Sequence, residues 1–486
     1  MKEEIRDKIS LKAKENLSYT KDLLKNNSDI VFREFYIGKL NAALIYVDGM
    51  ADKRLLDDYV LETLMVIGPD ITEVEEIKDK ILTVSDMREV KKLSEGINAM
   101  LSGDTLMFID GLEVGYVIAT RSWPARGVSE PSGETVIRGG RDGFTETIRF
   151  NTALVRRRIK DTRLKVESKT LGVRSKSDLA IMYIDDIVNK KILEELFSRL
   201  EKIDIDAVLD SGYVEQFIED NKWSFFPQVQ STERPDVVAA ALYEGRITIL
   251  VDNSPFALIV PATMSAMFQS PDDYYQRWIY GSIIRLVRFL SIFAALMLPA
   301  LYVAVTSFHP AIIPTKLAYF IAASREGVPF PAFVEALIME FSLAFLIEST
   351  ARLPKAIGST VGIVGGLIIG QAAVTAGIVS PIMIIIVSVT AITSFTTPNY
   401  EMASAFRILR FILIIFAAVI GLYGIMIGII LILIHLVRLK SFNIPYLAPV
   451  VNPDIDDFKD SFMRFPIRFY KKRPGFMNTG DKVRQK

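Results

Sequence analysis

The chain has 486 residues, enough for two or three domains at roughly 150 residues each, and its 57 Lys and Arg balance its 57 Asp and Glu. Overall charge therefore gives no reason to expect a nucleic-acid partner. Cysteine is absent, which excludes a disulfide framework, a thiolate metal site and a cysteine nucleophile.

The charge is unevenly spread: residues 1–280 are charge-rich, 287–436 mostly apolar and 437–486 basic. The opening MKEEIRDKIS has no apolar run, so no cleavable signal peptide is expected. The N-terminal half should then stay in the cytosol while later segments insert. Residues 1–27 read as a charged helical lead-in with a solvated face.

Two stretches then recur. The strand-like run 43–48, ending in Asp48, matches 180–185, ending in Asp185, and each precedes an apolar-periodic helix (54–65 and 190–200). A second pair, 103–110 ending in Asp110 and 245–252 ending in Asp252, leads through a turn into further apolar runs at 114–118 and 256–260. Each is a hairpin pattern. The shared order argues for two related α/β subdomains, 28–120 and 151–280; the alternative is chance recurrence of a common strand-Asp-turn pattern. Aspartates at strand ends can mark an α/β active site, but Asp is also a favoured turn residue. No Gly-rich phosphate loop, Walker lysine or Rossmann fingerprint accompanies them, which favours turns. Residues 121–150 are dense in Gly and Pro and read as an irregular linker loop, too long for a mere connector. The triplet Arg156-Arg157-Arg158 could meet a phosphate, or form a solvated or subunit-contact face.

From 281 to 437 the chain reads as a transmembrane helical domain, and 438–486 as a basic cytosolic tail. A first span at 287–307 is introduced by Arg277, Arg285 and Arg288; a last span at 408–436 precedes Arg438 and Lys440. About 20 apolar residues suffice to cross, and the basic flanks place both termini inside, so the number of crossings should be even. Four or six are possible, depending on which of 311–323, 331–351, 356–378 and 381–394 span fully.

Two of these helices draw attention. In 331–351, Glu335, Ser342 and Ser349 recur every seven residues, while Glu340 and Glu348 project elsewhere. Ionisable groups at membrane depth usually face a cavity, pathway or partner; the other reading is a flat interfacial helix with wet acids. In 356–378, Gly358, Gly362, Gly366 and Gly370 make three consecutive small-xxx-small steps, a close-packing ridge. The opposite face carries Thr360, Val364, Ile368, Gln371 and Thr375. It could line a pore with Val364 and Ile368 as a dewetting gate, or belong to an ordinary buried helix.

Along nearly its whole length the chain resembles the spore germinant receptor A-subunit (GerA-type) family. The resembling stretches are 128–131, 137–146, 151–160, 269–275, 330–340 and 365–374, densest over 150–400. The resemblance implies a subunit of the spore inner membrane, working with a transporter-like B subunit, which recognises the nutrient, and a lipoprotein C subunit. It further implies a homo-oligomer, a pentamer in that family, that conducts cations when nutrient binds. A stage-V sporulation AF-type paralogue shares the architecture. The run 345–350 departs from the family's more usual arginine-containing polar stretch.

The fold expected is an α/β soluble region of two related subdomains, a polytopic α-helical membrane domain in contact with lipid, and a short basic tail. The expected function is an ion-conducting, nutrient-responsive germination subunit; the alternative is a non-conducting scaffold. No enzyme activity, cofactor or metal is expected: His309 and His435 are the only histidines, and neither joins a catalytic constellation.

Overall fold

The computed structural model describes residues 5–66, 86–122, 130–131, 133–451 and 455–485. The chain divides into an α/β unit (Met1–Asp220, Val229–Pro261 and Lys471–Lys486) and a helical unit (Asn221–Gln228 and Ala262–Tyr470).

The α/β unit holds two five-stranded sheets. The first contains β1 (Ile30–Ile37), β2 (Leu40–Val47), β3 (Met87–Val90), β4 (Thr105–Ile109) and β5 (Gly115–Ile118), in the order β1-β2-β4-β5-β3. The second contains β6 (Leu164–Leu171), β7 (Ser177–Ile184), β8 (Gln230–Thr232), β9 (Ile247–Val251) and β10 (Ala257–Val260), in the matching order β6-β7-β9-β10-β8. All pairings are antiparallel. The first sheet packs helices α1 (Ala13–Leu23) and α2 (Leu93–Met100) on one face, against Ile45, Leu106 and Phe108. Leu56, Val60 and Leu64 cover the other face, against Leu44, Met107 and Ile109. Because both faces are covered, β4 and β9 are buried at every position, and they read as continuous apolar runs rather than alternating ones. The second module adds α3 (Ile148–Arg156), α4 (Lys190–Glu201), α5 (Ser211–Ile218) and α6 (Pro235–Tyr243).

The duplication extends to single side chains. Asn16 in α1 accepts from the Ser10 amide at 2.8 Å and donates to the Ser10 carbonyl at 2.7 Å. Asn151 in α3 does the same with Thr145, at 2.8 and 2.6 Å. Asp110 accepts from the Ala13 amide that opens α1 (2.7 Å), and Asp252 from the Ile148 amide that opens α3 (3.1 Å). Asp48 pairs with Lys53, and Asp185 with Lys190. The strand-end aspartates thus close turns and satisfy the free amides of helix N-termini; they are not gathered into one site. The lead-in is not a separate solvated helix either, since Ala13 and Leu17 are core residues of the first module.

Of the arginine triplet, Arg156 is buried and donates to Asp29 and Asn27, tying α3 to the entry of β1. Arg158 donates to Asp142 at 2.6 Å. The triplet's two ends are therefore structural ties rather than an open phosphate site.

The helical unit comprises α7 (Trp278–Phe308), α8 (Thr315–Arg325), α9 (Ala332–Ala351), α10 (Lys355–Thr375), α11 (Pro381–Ser394) and α12 (Tyr400–Arg438). Among the described residues, α7 and α12 are long and apolar enough to cross a membrane by length and composition. The last span does not run straight. Ile420 and Gly421 leave helical geometry, Gly421 at φ +62° and ψ −136°. A Cβ on Gly424 would clash with the Phe416 carbonyl oxygen, and one on Gly428 would lie 2.5 Å from a Leu413 methyl. Residues eight apart in a straight helix are separated by roughly 12 Å. The 39-residue α12 is therefore a hairpin of two antiparallel arms, 400–419 and 422–438, meeting on a glycine seam. Its tip rests on the end of α7, where a Cβ on Gly421 would lie 2.9 Å from both Phe308 and His309. Its two ends share a core with the middle of α7, through Ile292, Phe406, Leu409 and Leu436.

Candidate functional site

The acids of α9 are held by cations from other helices. Glu335 is fully buried; one carboxylate oxygen lies 3.1 Å from Arg325 of α8, and the other accepts from the Ser380 amide at 2.8 Å. Ser380 in turn caps α11 by accepting from the Met383 amide. Glu335 thereby ties three helices at one point. One turn and a half further on, Glu340 Oε2 lies 3.3 Å from Arg410 Nε of α12, and both side chains are buried. Arg410 also reaches Ser394, at 3.4 Å. Glu335 and Glu340 are not wet, as the flat interfacial reading required, but stand as buried ion pairs, where a lone charge would be too costly. Glu348 is exposed and pairs with Arg352 one turn on. Ser342 and Ser349 donate back to carbonyls of their own helix, so the seven-residue stripe does not act as one polar face.

The glycine ridge of α10 is turned largely toward its own chain. A Cβ on Gly358 would lie 3.1 Å from the Thr350 carbonyl oxygen, one on Gly362 3.7 Å from the Thr350 methyl, and one on Gly370 4.0 Å from Ile384. Gly365, outside the ridge, makes a closer approach, 3.0 Å to Leu346, than Gly366 does at 4.0 Å. On the candidate pore face, Ile368 is 58% exposed, and Gln371 and Thr375 are exposed as well. The side chains of Thr360 and Val364 lie outside the described residues.

A second polar assembly sits at the start of α7. Asp273 accepts from Arg285 at 3.2 Å and Arg288 at 2.9 Å, with all three side chains buried. Arg285 also reaches Asp460 at 3.1 Å, and Tyr274 donates to the same carboxylate at 2.8 Å. The guanidinium groups of Arg285 and Arg464 both lie over the Tyr274 ring, a cation–π arrangement. The segment after α12 is thereby clamped onto the head of α7.

Sequence reasoning missed Arg325, Arg410 and this clamp. One signal was available: Arg410 stands inside an apolar span, and such a charge calls for a partner. Arg285 and Arg288 were read only as flanking charges that set orientation.

The family model for the Bacillus/Clostridium GerA spore germination protein matches residues 18–476. The chain belongs to the GerA family. Within it, the chain is 44% identical to the membrane protein YfkQ of Bacillus subtilis over 475 residues, 97% of this chain and 93% of that one. It is 43% identical to the spore germination protein KA of Bacillus subtilis over 482 residues, 98% and 89% of the two chains. A solved structure, the N-terminal domain of the A subunit of the Bacillus megaterium spore germinant receptor GerK3, is 38% identical. It covers 54% of this chain and 99% of that one, with a TM-score of 0.43. The stretches that carry the GerA resemblance fall on the assemblies above: 269–275 supplies Asp273 and Tyr274, 330–340 supplies Glu335 and Glu340, and 151–160 supplies Asn151 and Arg156.

Proposed function

We propose that this GerA-family chain is the A-type subunit of a nutrient-responsive spore germination receptor, and that copies of it assemble in the spore inner membrane into a cation-conducting channel. A transporter-like B subunit, which senses the nutrient, and a lipoprotein C subunit are its partners. The observation that carries the channel reading is the uncovered face of α10, where Ile368 stands exposed beside Gln371 and Thr375. An exposed apolar position next to two polar ones suits a dewetting constriction once identical chains surround it.

The topology supports this placement. The middle of α7 packs with both ends of the α12 hairpin, and the end of α7 meets the hairpin tip. The chain thus ends α7 on the far side and begins α12 on the near side, so residues 310–399 cross an odd number of times. With α7 and two hairpin arms the total is even. That residues Lys471–Lys486 fold with the N-terminal α/β unit supports both chain ends lying on one side, and the basic flanks favour the cytosolic one.

The deciding experiment is conductance in liposomes reconstituted with this chain alone. Cation flux that rises when Ile368 is shortened is the expected result. A properly assembled protein without flux in any variant would leave the non-conducting scaffold as the function.

A further inference from the structure

Because the two α/β modules match side chain by side chain, the places where they differ are informative. In the first module the chain continues past β5 and folds back over the turn after β2. Thr120 accepts from the Asp52 amide at 2.7 Å, Arg121 bridges Ala51, and Ser122 donates its amide to the Met50 carbonyl at 2.9 Å. Arg121 thereby packs 3.4 Å from the Cβ direction of Gly103, which has φ +98°. In the second module no such continuation exists, since the chain leaves at Pro261 for the helical unit.

The vacated place is filled from the far end of the sequence. Counting from Asp48 and Asp185, Met50 corresponds to Ile187, and Gly103 corresponds to Gly245, which has φ +86°. Gly480 donates its amide to the Ile187 carbonyl at 3.1 Å, and Asp481 donates to the Asp186 carbonyl at 2.9 Å. Thr479 packs 2.5 Å from the Cβ direction of Gly245, as Arg121 does at Gly103. Met477 is buried and its carbonyl accepts from Asn189, while Arg473 donates to the Tyr243 carbonyl at 2.8 Å. The segment is closed on itself as a small hairpin, Arg473 donating its amide to Lys482 and Arg484 to Lys471.

We propose that the second α/β module carries a peptide-docking groove, bounded by Asp186, Ile187, Asn189, Tyr243 and Gly245, whose occupant is this chain's own C-terminal segment, residues 471–485. The segment supplies what residues 119–122 supply to the first module. It docks through main-chain bonds with a glycine at the tightest point, the mode by which extended peptides complete a fold. The module is whole only when the chain has returned from the helical unit, so residues 262–470 form a loop anchored to one module at both ends. The anchor holds without a covalent bond and can open while the sheet stays folded, as local elements of a structure do.

Two measurements in detergent test this, the first of them on the full chain. A Cβ at Gly480 would stand 2.6 Å from the Asp186 carbonyl oxygen, so Gly480→Val should unseat the segment. Trypsin cleavage at Lys471, Lys472, Lys482 and Arg484 should then rise on the order of tenfold, because cleavage tracks the open population, with cleavage elsewhere unchanged. An unchanged tail rate would overturn the proposal. Separately, the chain ending at Tyr470 should bind a synthetic 471–486 peptide, and the same peptide carrying Gly480→Val should bind at least about tenfold more weakly. Equal binding of the two peptides, or none by a truncated chain that melts cooperatively, would also overturn it. Should the truncated chain not fold, the trypsin comparison on the full-length variant decides.

Discussion

Glu340 Oε2 and Arg410 Nε lie 3.3 Å apart, both side chains buried, on helices separated by some seventy positions of sequence. The pair does not gain its importance from attraction alone. Burying either charge by itself costs more than the pair contributes, so removing one partner strands the other.

Glu340→Ala should therefore cost about 3–5 kcal/mol, seen as a lower thermal midpoint in detergent. Replacing both residues, Glu340→Met with Arg410→Leu, should recover most of that loss. If the double variant is as unstable as the single one, the pair has a role beyond mutual neutralisation.

Asp273 is the carboxylate that two buried arginines, Arg285 and Arg288, converge on. Asp273→Asn keeps the shape and removes the charge, leaving two guanidinium groups to Asp460 and backbone carbonyls. The expected cost is again about 3–5 kcal/mol, with the 439–470 segment losing amide protection first. Loss of protection confined to α7 would show that the clamp does not hold that segment.

How much of this was legible in the sequence follows from what each feature depends on. Strands β2, β4, β7 and β9 were visible as apolar runs ending at Asp48, Asp110, Asp185 and Asp252, and hairpins β4–β5 and β9–β10 were visible from their turns. Strands β1 and β6 were not, because they lie at the ends of their sheets and carry Arg33 and Glu34, or Glu167 and Lys169, at exposed or half-exposed positions. The hairpin in α12 was hidden because Gly421 sits in an unbroken apolar stretch, where hydropathy records composition and not direction. The acids Glu335 and Glu340 stood out, but Arg325 and Arg410 could be matched to them only once the helices were placed.

Burial pushes the Glu134 carboxyl up to about 7, against the offsetting hydrogen bonds from Thr232 and the Glu233 amide and with the Glu233 carboxylate nearby. A carboxyl with a raised folded-state pKa favours the fold when protonated. Stability should therefore fall as pH rises from the ordinary carboxylate range to about 7, by roughly 3 kcal/mol, and then level off. Glu134→Gln, which can still accept from Thr232, should flatten thermal midpoints measured between pH 5 and 8. A variant with the parent's slope would assign the pH dependence to other groups.

Gly365 leaves only 3.0 Å between its Cβ direction and Leu346 of α9. Gly365→Leu should push α10 from α9 and lower stability by about 1–3 kcal/mol through overpacking. Leu346→Ala on the same chain should return part of it. No rescue would show that the glycine is needed for something other than this contact.

One face of α10 stands uncovered. Ile368 is exposed there with Gln371 and Thr375, so in a channel of identical chains it is the bulky apolar position nearest two polar ones. A narrow apolar ring keeps a pore closed because water leaves it, with no plug required. Ile368→Ala widens and wets that ring. If opening is a two-state equilibrium, each 1.4 kcal/mol or so taken from the closed state raises the open population about tenfold. Liposomes carrying Ile368→Ala should leak cations without nutrient, and spores carrying it should germinate at lower nutrient levels. Ile368→Phe should narrow the ring and silence both. These substitutions change only the uncovered face, so assembly on a native gel should be the same for all three chains. Equal assembly with unaltered flux and germination would remove this face from the pore.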